Sequence, residues 1–166
     1  MRVGYRPVDD LDDVTSWLIE LGARTVIFDV EPLIALWDTG EDILRGGVDA
    51  TIDQILRVQD IDVIGFATNS RRHLAINPHH DDVRAFYISQ AAKPFVTRRH
   101  RALPHPGVLV GDQIATDGLL AWRLGFAFAH VQHSNSRRPW GPRLMHQLGR
   151  PLTSILFQLD QDLPER

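Results

Sequence analysis

The sequence predicts an α/β fold in which a doubly wound, five-stranded parallel sheet carries helices on both faces. Two observations predict this fold: short apolar runs that suit buried strands alternate with segments of helical periodicity, and no internal repeat or linker interrupts the alternation. The predicted strands cover residues 25–30, 61–67, 84–88, 108–110 and 126–131. The first, second and fourth are apolar enough to be buried on both sides, as parallel strands commonly are.

The predicted helices fill the gaps between these strands. They cover residues 9–21, 49–58, 71–76, 94–103 and 113–124. In the first, Leu11, Val14 and Leu18 recur at helical spacing, the first turn is acidic as the helix dipole favours, and Gly22 is a suitable stop. The last is closed in the same way by Gly125.

Length and composition indicate a single domain, residues 1–166. The 166 residues are 43% hydrophobic and 23% charged, which is enough to form a core without a disulfide or metal staple. A net charge of −3 gives no basic field for nucleic acid, and the absence of cysteine excludes disulfides, thiol catalysis and zinc–thiolate sites. No apolar run approaches the ~18 residues of a membrane span, and the polar, acidic start is unlike a signal peptide. We therefore expect a cytoplasmic protein.

Residues 134–166 form a predicted basic, amphipathic tail. Between positions 137 and 159 the tail contains four arginines, one histidine and no acidic residue, together with apolar side chains such as Trp140 and Leu144. Such a segment can lie on an anionic membrane, which would make the protein peripheral at the inner membrane surface. The alternative, which we favour, is that it packs on the sheet with its arginines in solvent; Pro151 would also break a single long helix.

Polar side chains follow four of the predicted strands at the points where the strands end. They are Asp29 and Glu31 after the first strand, Thr68 and Asn69 after the second, Lys93 after the third, and Asp112 and Asp117 after the fourth. Because ligands bind at the carboxyl edge of open α/β sheets, we expect these side chains to share one site. Two strands that end in aspartate predict a pocket for a hard cation, since carboxylate oxygens are suitable ligands.

Lys93 is the only lysine among 18 lysines and arginines. One interpretation is that a compositional bias replaced most lysines by arginine and that Lys93 survived by chance. The other is that this position needs a compact ammonium rather than a planar guanidinium.

The predicted cluster suits phosphoryl transfer. Asp29 could attack phosphorus and form an aspartyl phosphate. Mg²⁺ held by Asp29 and Asp112 would offset the charge of nucleophile and phosphate. Thr68 would donate a hydrogen bond to a phosphoryl oxygen, and Lys93 would neutralise the equatorial oxygens.

Four short segments carry a resemblance to a known family. They are Phe-Asp-Val-Glu-Pro-Leu (28–33), Ala-Thr-Asn-Ser (67–70), Ala-Lys-Pro (92–94) and Gly-Asp-Gln-Ile-Ala-Thr-Asp (111–117). Their order resembles the four motifs of the haloacid dehalogenase-like (HAD) phosphatases, and most closely the YqeG-type branch of subfamily IIIA. The fourth segment matches that family's pattern at every fixed position, and the resemblance extends over nearly the whole chain.

The resemblance implies a HAD-like Rossmannoid domain that hydrolyses a phosphate monoester with Mg²⁺. It implies that Asp29 is nucleophile and metal ligand, that Asp112 is a ligand, and that Asp117 is a ligand or orients one. The family's general acid falls at position 31, and we count Glu31 among the candidate catalytic residues and Mg²⁺ ligands. Thr68, Asn69 and Lys93 are the candidate substrate-binding residues.

Spacing bears on the substrate. The intervals from residue 29 to 68 and from 68 to 93 are too short for the cap domain that often covers such sites, so we expect a capless, open site. An open site suits a large or surface-bound phosphorylated substrate. Some eukaryotic relatives within the family act on phosphatidylglycerophosphate, so a lipid head group is one candidate.

The first segment departs from the family pattern Asp-x-Asp-Asn-Thr-Leu. Here Glu31, Pro32 and Leu33 replace Asp, Asn and Thr. The extra methylene of Glu31 moves the carboxyl group by roughly 1.3 Å, and a misplacement of about 1 Å can cost on the order of a hundredfold in rate. Two outcomes follow: a phosphatase of reduced activity, or a catalytically impaired relative that binds phosphate or Mg²⁺ as a regulatory or assembly module.

Overall fold

A computed structural model describes residues 2–100, 102–132 and 152–159 of the chain. The strands are β1 Val3–Val8, β2 Thr25–Asp29, β3 Val63–Ala67, β4 His79–His80, β5 Val83–Ile88, β6 Gly107–Gly111, β7 Ala127–Val131 and β8 Phe157–Leu159. The helices are α1 Leu11–Leu21, α2 Glu41–Ile55, α3 Leu119–Leu124 and α4 Thr153–Leu156. A 3₁₀ turn covers Arg98–His100, and a π-helical turn covers Ile114–Gly118.

One sheet contains all eight described strands in the order β4-β5-β3-β2-β6-β7-β1-β8. Every neighbouring pair is parallel except β4 and β5, which are antiparallel. The predicted α/β class with a mostly parallel, Rossmann-like sheet is therefore confirmed. The central strands β2, β3 and β6 are buried at every position, in agreement with their continuous apolar sequence.

The predicted number of five strands is wrong. The five predicted strands correspond to β2, β3, β5, β6 and β7, and the sheet also contains β1, β4 and β8. Strand β1 lacks a continuous apolar run because its sequence contains Gly4, Arg6 and Pro7, residues that weaken a strand prediction. Strand β4 has only two residues, and β8 has only three and lies within the predicted tail.

The helices agree with prediction where local signals are strong. Helix α1 begins after Asp10, whose Oδ1 accepts the Asp13 N–H at 2.9 Å, and it ends at Gly22 in the left-handed conformation with φ 57°. Helix α2 begins eight residues before the predicted start, at Glu41, and includes both Gly46 and Gly47. Tertiary packing of α2 on the sheet thus overrides the low helix propensity of glycine.

Two predicted helices are wrong. Residues 71–76 are irregular, and among the described residues of the range 94–103, which exclude position 101, the single 3₁₀ turn is the only helical segment. In the first segment the Arg72 N–H is directed to the Ser70 hydroxyl at 3.2 Å, which is not a helical contact. Local hydrogen bonds of this kind compete with a helix. The predicted helix over 113–124 is divided into the π-helical turn and α3, and Gly125 closes it in the left-handed conformation.

The two faces of the sheet carry separate hydrophobic cores. On one face α1 and α2 pack through Trp17 and Leu44 against strand residues such as Phe28. On the other face α3 packs through Leu120 against residues such as Phe128. Successive strand residues alternate between the faces, and both faces are covered, as expected for a doubly wound sheet.

Part of the predicted tail belongs to the sheet. Strand β8 pairs in parallel with β1, with Val3 opposite Phe157, and the side chains of Leu156 and Phe157 are buried. The remaining residues of the tail, including all of its arginines before position 152, lie outside the described residues, so membrane contact by the tail stays a prediction. Within the described part of the chain no helix is long and apolar enough to cross a bilayer.

Candidate functional site

Three aspartates and one lysine meet at the carboxyl edge of the sheet. Asp29 is the last residue of β2, and Asp112 follows the last residue of the adjacent strand β6. Asp117 lies in the π-helical turn after β6, and Lys93 lies in the loop after β5. All four side chains are buried, with at most 7% of each residue exposed.

The geometry of this cluster is compact. One carboxylate oxygen from each aspartate lies within 4.8 Å of the other two. The Lys93 ammonium contacts Oδ1 of Asp29 at 2.5 Å and Oδ1 of Asp117 at 2.7 Å. With every group ionised, three negative charges and one positive charge leave a formal charge of −2. Buried charge that is not compensated is costly, so the cluster favours a further cation.

The titration behaviour of the cluster reflects this imbalance. Burial raises the pKa of Asp29 well above its usual range, and the Asp117 carboxylate raises it further, against the opposing effect of the Lys93 ammonium. Burial alone would lower the pKa of Lys93, but the carboxylates of Asp117 and Asp29 outweigh burial and raise it. Lys93 is therefore held in its charged form, and one ammonium is too little to stabilise all three carboxylates.

The donor set fits a hard divalent cation. All three candidate ligands are carboxylates, and Mg²⁺ prefers oxygen ligands and is usually bound by one or two carboxylates together with water or substrate phosphate. A divalent ion would cancel the formal charge of −2. Asp29, Asp112 and Asp117 are the residues that would hold it.

A glycine and a π-helical turn bring Asp117 close to strand β6. A Cβ atom at Gly111 would lie 2.5 Å from Cβ of Asp117, so only glycine permits this approach. The Gln113 N–H donates to Oδ2 of Asp117 at 3.2 Å, and the Asp117 N–H donates to the Gln113 carbonyl at 2.8 Å. Turns of this type are frequent at functional sites.

Glu31 lies in a separate polar network. The Thr68 hydroxyl donates to Oε2 of Glu31, the Ser70 hydroxyl donates to Oε1 at 3.1 Å, and the Arg72 guanidinium is 3.6 Å from Oε1. The Thr68 hydroxyl also lies 2.9 Å from the Ser70 hydroxyl oxygen. Because each hydroxyl has one hydrogen, Glu31 and Ser70 are alternative acceptors for the Thr68 hydrogen. Among the described residues, the group of carboxylates close enough to share a cation consists of Asp29, Asp112 and Asp117 and does not include Glu31.

Arg72 joins this network to the loop between β2 and α2. Its guanidinium donates to the carbonyl oxygens of Leu36 at 2.7 Å and Thr39 at 2.9 Å. The segment after Asp29 holds this loop and α2, and the segment after Thr68 holds β4 and β5. Both segments are fully described, and neither contains a second domain over the site.

The Asn69 side chain forms hydrogen bonds with the backbone of Lys93. Its Oδ1 accepts the Lys93 N–H at 2.8 Å, and its Nδ2 donates to the Lys93 carbonyl at 3.1 Å. The structure thus brings together all seven predicted site residues at one edge, in two subclusters. Lys93, Asp29, Asp112 and Asp117 form one, Glu31 and Thr68 form the other, and Asn69 contacts the backbone of the first.

Four residues of this edge are not among the seven predicted site residues. Ser70 and Arg72 lie within three residues of Asn69, and His130 lies in the fifth predicted strand, so their positions in the sequence already placed them near the edge. The contact of Tyr5 with His130 was not predicted: the Tyr5 hydroxyl lies 2.7 Å from Nδ1 of His130, and Nε2 of His130 lies 3.3 Å from the Asp112 carbonyl oxygen. A carbonyl oxygen only accepts, so His130 donates from Nε2 in this contact. The 125-residue separation of this pair leaves no signal in the sequence.

Comparisons of the chain with protein-family models, with curated proteins and with solved structures find no match. The functional conclusions below therefore rest on the geometry and chemistry of the site, and membership of the HAD phosphatases stays a prediction.

Proposed function

We propose that the protein is a Mg²⁺-dependent phosphate monoester hydrolase that works through an aspartyl-phosphate intermediate. The observation that supports this most directly is the cluster of three buried carboxylates around a single ammonium at the carboxyl edge of the sheet. A nucleophilic carboxylate, a fixed positive charge and a set of oxygen ligands are the components that phosphoryl transfer requires.

In the first step a carboxylate oxygen of Asp29 attacks phosphorus, and the bond from phosphorus to the ester oxygen breaks. The Lys93 ammonium, 2.5 Å from Asp29 Oδ1, is placed to offset the charge on the transferring oxygens. Bound Mg²⁺ would neutralise the carboxylates and polarise the phosphoryl group. In the second step water attacks phosphorus, the bond to Asp29 breaks, and inorganic phosphate and the free carboxylate are formed.

Both steps also need a residue that donates or accepts a proton. The departing alcohol gains a proton in the first step, and the attacking water loses one in the second. We assign this transfer to Glu31, the position at which the resembling family carries its general acid. Glu31 would enter the first step protonated, give this proton to the departing alcohol, and regain one from the attacking water in the second step. Its two oxygens accept hydrogen bonds from Thr68 and Ser70, so one of these bonds would have to break before Glu31 could carry the proton. A phosphoryl oxygen that accepts the Thr68 hydrogen would break one of them.

The test is Mg²⁺-dependent release of phosphate from 4-nitrophenyl phosphate, followed by a screen of small phosphate esters and phosphatidylglycerophosphate. Asp29→Asn should abolish turnover, because an amide cannot act as the nucleophile. Asp49→Asn is the matched control, since it makes the same chemical change on the exposed surface of α2 and should leave turnover unchanged. Equal phosphate release by the wild type and Asp29→Asn would refute the mechanism.

A second function is favoured by the Glu31 network. Glu31 accepts hydrogen bonds from the Thr68 and Ser70 hydroxyl groups. Because these hydroxyl groups are then not available to substrate, the site is a candidate for a catalytically impaired module that binds Mg²⁺ or phosphate without turnover. The triple variant Glu31→Asp, Pro32→Asn, Leu33→Thr separates the two functions. A large gain in activity from an inactive wild type supports the module, whereas an active wild type excludes it.

A further inference from the structure

The loop that carries Lys93 lies outside the regular sheet. It leaves β5 at Ile88 and passes through two non-glycine residues in the left-handed region, Gln90 with φ 49° and Ala92 with φ 56°. Such residues are uncommon and depend on their surroundings for support. Lys93 therefore cannot rely on a strand ladder to fix its backbone.

The segment that ends β3 supplies this support. The Gln90 N–H donates to the Ser70 carbonyl at 2.9 Å, and the Ala91 N–H donates to the Thr68 carbonyl at 2.8 Å. These bonds lay the loop alongside residues 68–70. They end one residue before Ala92, so they do not by themselves set the direction in which Lys93 leaves the loop.

Asn69 completes the support at Lys93 itself. One side-chain amide pairs with both backbone groups of a single residue, accepting the Lys93 N–H at 2.8 Å and donating to its carbonyl at 3.1 Å. These two bonds of opposite direction restrain the peptide units on both sides of the Lys93 Cα atom. Alanine could make neither bond, and serine carries its donor and its acceptor on one oxygen, whereas the amide presents them on two separate atoms.

Position matters here because the Lys93 ammonium bridges two carboxylates at 2.5 and 2.7 Å. We propose that Asn69 is a positioning residue that acts on phosphate through Lys93 and does not bind the substrate itself. This inference rests on the proposed function and refines it, since Asn69 was expected from sequence to be a substrate-binding residue. A misplacement of about 1 Å at a catalytic group costs on the order of a hundredfold.

The first test measures the backbone of the Lys93 loop by hydrogen exchange and needs no activity. Asn69→Ala should increase exchange in the peptide that contains Lys93. The matched control is Asn77→Ala, an exposed asparagine before β4 whose Oδ1 also accepts a backbone N–H, that of His79, at 3.2 Å; it should leave that peptide unchanged. Unaltered exchange in Asn69→Ala would overturn the inference. Asn69→Ser serves in the same experiment if the alanine variant does not fold.

The second test is a double-mutant cycle on the affinity for inorganic phosphate, measured calorimetrically with Mg²⁺ present. We expect Lys93→Met and Asn69→Ala each to weaken affinity by about ten- to a hundredfold, and the double variant to match Lys93→Met alone. Non-additivity of this kind is the signature of one residue acting through another. Additive losses would show that Asn69 binds phosphate independently, and would overturn the inference.

The experiments distinguish failure of the proposed hydrolase function from failure of the proposed role of Asn69. A wild type that binds phosphate but hydrolyses no ester refutes the proposed hydrolase, while the cycle still tests Asn69. A wild type that binds no phosphate with Mg²⁺ refutes both the hydrolase and the effect of Asn69 on phosphate. Hydrogen exchange then still decides whether Asn69 holds the Lys93 loop.

Discussion

Replacing Asp112 by Asn should stabilise the metal-free protein and remove its response to Mg²⁺. The substitution keeps the shape of the side chain and removes one of three carboxylates whose oxygens lie within 4.8 Å of one another. It thereby eliminates two of the three repulsive pairs. The Lys93 contacts with Asp29 and Asp117 remain in place.

The size of the effect can be worked from these distances. At the 4.8 Å limit, with an effective dielectric constant of about 20, one pair of carboxylates repels by about 3.5 kcal/mol. With all three aspartates ionised, two pairs amount to about 7 kcal/mol. This is an upper limit, because the raised pKa of Asp29 favours its protonated form and so reduces the repulsion. The variant also loses the attraction of Asp112 to the Lys93 ammonium and buries an amide that needs hydrogen bonds. We expect a net gain on the order of 2 kcal/mol, or about 4–8 °C in Tm for a chain of this length.

The assay is thermal unfolding in EDTA and in Mg²⁺ for both proteins, with Asp49→Asn as control. Mg²⁺ at about one hundred times its Kd should stabilise the wild type by about 2.7 kcal/mol. The variant should respond little, so its advantage in EDTA should vanish when Mg²⁺ is added. A variant that is less stable than wild type in EDTA, or that gains as much from Mg²⁺, would show that the three carboxylates do not form an undercompensated cation site.

Two further predictions concern other parts of the edge. Gly111→Ala should displace Asp117 and weaken Mg²⁺ affinity by about tenfold or more. At the other end of β6, the added Cβ of Gly107→Ala would meet the Phe126 ring at 2.5 Å, which should cost about 1–3 kcal/mol of stability without altering Mg²⁺ affinity. Calorimetric titration with Mg²⁺ and urea unfolding of both variants test these expectations. Burial and the nearby Glu31 carboxylate raise the pKa of Tyr87 to about 12. The folded state therefore keeps the phenol proton longer than the unfolded state, and stability should fall as pH rises from about 10 to 12. Urea unfolding at several pH values in this range measures the decrease in the free energy of unfolding with pH, and this decrease should be smaller in Tyr87→Phe than in the wild type.

The carboxylate cluster was predictable from sequence because of a property of parallel sheets. Asp29 and Asp112 each follow an apolar run, and adjacent parallel strands end at the same edge. That Lys93 is the only lysine left two interpretations open; its place after the third predicted strand and the resemblance of the Ala-Lys-Pro segment are what predicted a role for it. The structure places its ammonium in contact with both Asp29, at 2.5 Å, and Asp117, at 2.7 Å.

What the sequence could not predict depends on tertiary contacts. Strand β1 is recognised as a strand only through its partners β7 and β8, since a sequence with Gly4 and Pro7 has little strand signal of its own. The contact of Asn69 with Lys93 depends on the left-handed residues Gln90 and Ala92. Neither is glycine, so nothing in the sequence marks the turn that brings Lys93 back to Asn69.

The departure at Glu31 has a physical explanation in the structure. The longer side chain accepts hydrogen bonds from Thr68 and Ser70 with separate oxygens, and Arg72 lies 3.6 Å from one of them. Shortening the acid alone should therefore disrupt this network rather than simply restore a proton donor. For that reason the restoring variant changes positions 31, 32 and 33 together.

Both proposed functions use the proposed cation site, and they differ in which group accepts the hydroxyl hydrogen of Thr68. The buried carboxylates favour a counter-charge, either a cation or a proton on Asp29, whether or not turnover follows, because uncompensated buried carboxylates are costly in either case. Turnover additionally requires the Thr68 hydroxyl to leave Glu31 and donate to the phosphoryl group. Phosphate with Mg²⁺ carries the charge-assisted acceptors that could compete for this hydrogen. We therefore expect that the balance between Glu31 and phosphate as acceptors for Thr68, rather than the presence of the candidate metal ligands, separates the two proposed functions.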